Sequence, residues 1–275
     1  MKPSPDKSKI AFTISTILFL AFTAWWLYIK QFDIDATRDM RQLWGATYQI
    51  IALFGAIVGF VISKRWGGYK SMLGRAIMAF AVGLLLQSFG QTYSSYYVYS
   101  HHVESPIYPG IGDVGFFGSV IAYIYGIIAL SKISGIRVSL KKMQNKAWAL
   151  IIPVAILVGS YMFYLKGYEF DWSDKIKVFL DFGYPLGQAF YMSIGILALI
   201  LSRNVLGGIM KKPILFLIIA LLFQYFSDFF FLYEANLGVW YVGNINDFLY
   251  SASYFLMSIS LIQFSVAFHR IRSTE

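Results

Sequence analysis

Cysteine is absent from the 275 residues, and histidine occurs only three times. The first absence excludes disulfide frameworks, thiolate catalysis, cysteine-ligated metals and iron–sulfur clusters. The second leaves little for a histidine-rich metal site. Charge is scarce too, at 13% of the chain against 58% hydrophobic residues. A soluble domain carries about 25% charged residues to cover its surface. This chain is therefore expected to be solvated mainly by lipid. At about 20 residues per crossing it has room for about eight spans and no separate soluble domain.

Apolar runs lie near residues 10–29, 44–63, 75–98, 108–131, 147–165, 176–201, 213–233 and 240–268. Each is long enough to cross about 30 Å of hydrocarbon as a helix. The predicted fold is all-α: a polytopic transmembrane helix bundle of about eight spans, one domain over residues 1–275. The first run is too long for a cleavable signal peptide and lacks a small-residue cleavage pattern. It ends in Trp25, Trp26 and Tyr28, which read as an interfacial belt.

The formal net charge of +9 is distributed by side rather than by patch. Lys2, Lys7 and Lys9 precede span one, and Lys64, Arg65, Lys70 and Arg75 separate spans two and three. Lys132, Arg137, Lys141, Lys142 and Lys146 follow span four. Arg203, Lys211 and Lys212 follow span six, and Arg270 and Arg272 follow span eight. Only Lys30, Arg38, Arg41, Lys166, Lys175 and Lys177 fall on the other side. The positive-inside rule then predicts both termini in the cytoplasm, with anionic lipid headgroups as partners. Nucleic acid is not expected as a partner, since it requires a clustered basic face.

Span three contains Leu84-Leu85-Leu86-Gln87-Ser88-Phe89-Gly90-Gln91, and span seven Leu221-Leu222-Phe223-Gln224-Tyr225-Phe226-Ser227-Asp228. Aligning Gln87 with Gln224 sets Gln91 opposite Asp228. With a three-residue indel, Asp113 then falls opposite Asp247. Hairpins 75–131 and 213–268 thus read as parallel repeats, of a kind some transporters use. Shared composition among aromatic-rich helices is the competing explanation.

Ionisable residues inside spans are costly and usually face the bundle interior or a wet cavity. Asp113, Asp181, Asp228 and Asp247 all fall in the half predicted to face outward. Helical spacing groups Asp181, Tyr184, Gln188 and Tyr191 on span six, and Asn244, Asp247, Tyr250 and Tyr254 on span eight. Gln87 and Gln91 share a stripe on span three, and Gln224 and Asp228 pair on span seven. Pro185 leaves the carbonyl of Asp181 without its usual helical donor. The expectation is an outward-facing acidic and aromatic pocket, lined by the four aspartates with Gln87, Gln91, Tyr184, Gln188, Gln224, Asn244, Tyr250 and Tyr254.

No Lys or Arg lies in the interior of any span, so the carboxylates have no obvious cationic counterpart. A proton, a metal cation or an organic amine is the expected ligand, with ring faces available to it. Whether a metal binds is left open, and no cofactor is expected. Interhelical packing glue and helix capping are the structural alternatives for the same side chains.

An enzyme is not expected. His101 and His102 fall in a loop and His269 at the far end of span eight, and no phosphate-binding glycine loop is present. A small transporter or ion pathway remains open, as does a structural subunit of a membrane complex. The opposite halves, such as residues 194–201 and 214–222, contain no ionisable residue, which favours reception over permeation.

Residues 83–130, with Gly90, Tyr96-Tyr97 and Tyr108-Pro109-Gly110-Ile111-Gly112-Asp113-Val114, resemble the membrane input domains of some bacterial diguanylate cyclases and histidine kinases. Tyr184-Pro185-Leu186-Gly187 is similar to their Tyr-Pro-Leu-Gly-Asp helix, with Gln188 where that pattern has aspartate. Residues 228–247 resemble their closing hairpin, so that the likeness covers roughly residues 75–268. The resemblance implies an eight-helix sensory module in a prokaryotic cytoplasmic membrane. Six residues follow His269, so the expectation is either a separate cytoplasmic output protein, with the basic loop 131–146 as its docking candidate, or another job for the same scaffold.

Overall fold

In the computed structural model, residues 5–103, 105–133, 143–162, 166, 171–201, 210–236 and 238–273 are described. Among these residues the chain forms nine α-helices and no strands. They are α1 (Pro5–Ile29), α2 (Arg38–Thr47), α3 (Ile50–Arg65), α4 (Met72–His101), α5 (Ile111–Ile133), α6 (Met143–Ser160), α7 (Lys175–Leu201), α8 (Lys211–Asn236) and α9 (Ile245–Ser273).

Among the described residues, seven helical segments are long and apolar enough to cross a membrane. One of them, Asp35–Arg65, comprises α2 and α3 with a short turn at Tyr48 and Gln49. The fifth expected span, 147–165, falls on α6. Its apolar stretch Leu150–Gly159 is shorter than a full crossing, and residues 163–165 lie outside the described part.

Local chemistry explains several helix ends. Gly67, at φ 90°, ends α3 in the left-handed conformation that glycine adopts without a Cβ penalty. Lys64 and Arg65 in the last turn of α3 complement its dipole. Ser71 caps α4, its hydroxyl accepting the Gly74 N–H at 2.8 Å.

Six helices follow one another around a ring: α3 packs on α4, α4 on α5, α5 on α7, α7 on α8, α8 on α9, and α9 back on α3. Helix α1 packs outside against α9, and α6 outside against α7. The closest pair, α4 with α5, depends on small residues. A Cβ on Gly115 would stand 2.5 Å from the Leu86 carbonyl oxygen and 2.7 Å from the Gly90 nitrogen. The backbones touch there, which only glycine permits.

Alternating helix direction sorts the chemistry by end. Lys64, Arg65, Lys70, Lys132, Lys211, Lys212 and Arg270 lie at one end, with the start of α1. At the other end lie the starts of α5, α7 and α9 and the finishes of α4 and α8, with Asp113, Asp181, Asp228 and Asp247.

Candidate functional site

A cavity of about 1210 Å³ opens at this second end of the bundle. Asp113 from α5, Asp181 from α7, Asp228 from α8 and Asp247 from α9 all line it, together with Gln91, Tyr184 and Tyr250. Four positions distant in the chain meet there because four helices carry them to the same end of the bundle.

Asp113 and Asp247 cap the helices that carry them. Asp113 Oδ2 accepts the Gly110 N–H at 2.8 Å, and Asp247 Oδ2 accepts the Gly243 N–H at 2.7 Å. A carboxylate in the first turn satisfies an orphan backbone donor and meets the positive end of the dipole. Capping thus accounts for one oxygen of each.

The Tyr184 hydroxyl donates to Asp113 Oδ1 at 2.8 Å, and the Tyr108 hydroxyl donates to Asp181 at 2.5 Å. Asp228 accepts from Tyr250, from Gln188 and, at 3.4 Å, from Gln224. Pro185 lies inside α7 as expected, one residue beyond Tyr184.

Five expected lining residues lie elsewhere. Gln188 and Gln224 stand behind Asp228 as its donors, each nearly fully buried. Gln87 is buried below the cavity, where its amide donates to Ser119 at 2.7 Å and its oxygen accepts the Tyr254 hydroxyl at 2.9 Å. Asn244 turns toward the loop and donates to Glu234 at 2.8 Å. Gln87 and Tyr254 therefore join α4 to α5 and α9 rather than face open space.

Some of the wall was not read from the sequence. Tyr108, Asp39, Gln42 and Trp240 line the cavity, and so do Lys166 and Lys177. These two lysines revise the expectation that the carboxylates lack cationic neighbours. Neither lies inside an apolar run's centre, so a search of span interiors passes over them. Asp171, also on the wall, is held below the usual carboxylate range by the Ser173 hydroxyl and N–H. His101 and His102 are exposed, with His101 bonded to Ser100 and Tyr97.

The turn after α8 closes one side. Arg41, only 5% exposed, donates to the carbonyls of Val242 at 3.0 Å and Ile34 at 2.8 Å. Trp26 donates to the Gly243 carbonyl at 3.0 Å, and Lys30 bonds the Tyr241 hydroxyl at 2.7 Å. Gly243, at φ 82°, packs against the Arg41 side chain and donates to Asp247. The first helices thereby hold the turn that positions the Asp247 carboxylate.

The basic loop 131–146, expected to dock a partner, lies largely outside the described residues. Among the described residues, no cluster of three or more His, Cys, Asp and Glu side chains is arranged to hold a metal ion. No protein-family model, curated protein or solved structure matches this chain.

Proposed function

We propose that this chain is a receptor-like membrane protein that takes a cationic or amine ligand into the cavity. The observation that carries the reading is the convergence of four aspartates from four helices on one cavity wall. Several carboxylates in a poorly hydrated site repel one another, and a cation offsets that repulsion. Tyrosine rings on the same wall add cation–π attraction.

The basic end of the bundle faces the cytoplasm in this reading, by the positive-inside rule, with both termini inside and the cavity outside. Counting α6, the bundle makes eight crossings. Hairpins 75–131 and 213–268 are parallel repeats: Gln87 meets Ser119, and Gln224 meets Ser253 at 3.3 Å. Each serine lies six residues beyond the aspartate that starts its helix. Ligand binding shifts helix packing toward the basic end, where a separate output protein docks, in keeping with the resemblance to sensory input domains.

The test is a melting curve of the purified protein in detergent across pH and a panel of metal cations and amines. A ligand that binds the folded state raises the midpoint. The shift should vanish in the double variant Asp113→Asn/Asp247→Asn. A flat response in wild type and variant alike would remove the ligand and leave a structural subunit.

A transporter or ion pathway is the second reading, favoured by a polar stripe on α9. Asp247, Ser251, Tyr254, Ser258 and Ser265 recur at helical spacing. Ser265 ends the stripe bonded to Ser8 at 2.9 Å and to Arg65 at 3.0 Å. Buried Leu261 and Ile262 interrupt it, and the seven residues from Ser258 to Ser265 span about 10 Å of helix. A dry layer of that depth supports reception first.

A further inference from the structure

We infer that the innermost part of the cavity is a subsite for an organic ammonium group, centred on Asp247, with Tyr250 on its wall and Tyr254 and Tyr48 stacked behind Tyr250. The inference rests on the ligand-binding reading above; it adds the ligand's chemical class and the carboxylate that meets it.

The aspartates are not equivalent. Three neutral donors, Tyr250, Gln188 and Gln224, already hold Asp228. Asp113 has both oxygens engaged, one by Tyr184 and one by Gly110. Asp181 is bonded to Tyr108 at 2.5 Å. Asp247 differs: Oδ2 accepts the Gly243 N–H, while Oδ1 has no hydrogen-bond donor among the described residues. It is also the most buried of the four, 4% exposed, and still borders the cavity.

A second observation points to the same place. Tyr48 is fully buried, and its hydroxyl has no hydrogen-bond partner among the described residues. A buried hydroxyl without a partner is costly, so this one marks a position that a polar group fills. The Tyr48 ring stacks on Tyr254 at 6.0 Å, and Tyr254 on Tyr250 at 6.3 Å. An open carboxylate oxygen, an unused hydroxyl and a row of tyrosine rings form the surroundings that an ammonium group prefers.

The rest of the cavity selects the ligand's body. Leu43, Val98, Ile107, Phe116, Phe231 and Val242 contribute apolar wall. A volume of about 1210 Å³ accommodates far more than an ion. Pockets that bind organic molecules are largely apolar with a few placed polar groups. The turn fixed by Arg41 and Trp26 holds Gly243, and through it Asp247, in position before the ligand arrives.

Binding calorimetry on the full chain in detergent tests this, with benzyltrimethylammonium chloride as probe and sodium chloride at matched ionic strength as control. Wild type should bind the ammonium saturably, and sodium should not compete. Asp247→Asn keeps an oxygen for the Gly243 N–H and so preserves the fold. It should weaken binding by at least about thirtyfold, as expected when a buried charge loses its partner. Tyr48→Phe removes one hydroxyl and should weaken binding by about fivefold.

Asp33→Asn, at an exposed carboxylate away from the cavity wall, should bind within about threefold of wild type. Binding that survives Asp247→Asn and is lost in Asp113→Asn overturns the subsite while the cavity reading stands. Effective competition by sodium overturns the ligand class. No binding of the ammonium to wild type overturns the inference, and the wider cation and amine panel then judges the receptor reading separately.

Discussion

The Tyr184 hydroxyl donates to Asp113 at 2.8 Å, and Tyr108, five residues before Asp113, donates to Asp181, three residues before Tyr184. Two tyrosine–aspartate pairs thus cross between the start of α5 and the start of α7 in opposite senses. Each carboxylate receives its hydroxyl from the other segment, which fixes how these two helices meet at the cavity wall.

Removing one of those hydroxyls should be measurable. Tyr184→Phe leaves Asp113 short of a donor in a half-buried site and should cost about 1–3 kcal/mol of stability. A double-mutant cycle with Asp113→Asn should give a coupling of about 1 kcal/mol. Additive effects would show that the contact contributes nothing of its own.

Gly115→Ala should destabilise the α4–α5 pair by about 1–3 kcal/mol, because its methyl would meet backbone atoms that cannot move aside. Gly159→Ala is the control, since nothing lies within 4 Å of a Cβ there. It should change stability by less than about 0.5 kcal/mol. Comparing the two melting temperatures checks the contact; equal values would contradict the close approach.

Arg41→Ala should cost about 2–3 kcal/mol, since the carbonyls of Val242 and Ile34 lose charged donors in a buried place. Arg41→Lys should recover little of that, because one ammonium cannot span both carbonyls as the guanidinium does. Full recovery by lysine in a denaturation series would refute the two-point clamp.

Glu234 gives a pH dependence. Partial burial raises its carboxyl above the ordinary 4.5, while the Asn244 amide and the charge of Lys30 pull the other way. A carboxylate raised in the folded state contributes stability below its unfolded pKa and loses it as pH rises through the folded value. Wild type should therefore lose stability relative to Glu234→Gln as pH climbs above about 4.5. Parallel melting profiles for the two proteins across that range would refute the assignment.

The aspartates illustrate what was legible beforehand. Their positions in apolar runs and their common half of the bundle follow from sequence spacing alone, and all four do line one cavity. Spacing pairs Gln224 with Asp228 and sets Gln188 beside Asp181, whereas both amides donate to Asp228 rather than form wall. Tyr108 stands out only as part of the segment Tyr108-Pro109-Gly110, and Tyr48 not at all, since a single tyrosine among 20 is unremarkable until a neighbour is known. Lys177 was visible as a flanking charge, and only its inclusion in the wall was not.

By itself the sequence determined the helices, their approximate limits, the basic end and the acidic end. A helix satisfies its backbone within itself, and lipid demands long apolar runs, so both requirements are local. Only the tertiary structure decided that six helices close into a ring, that Gly115 lies against the α4 backbone, and that Asp247, on the cavity wall, has a hydrogen-bond donor on only one oxygen among the described residues. Those outcomes depend on which helix faces which. That choice is made by packing between residues far apart in the chain, and no local pattern contains it.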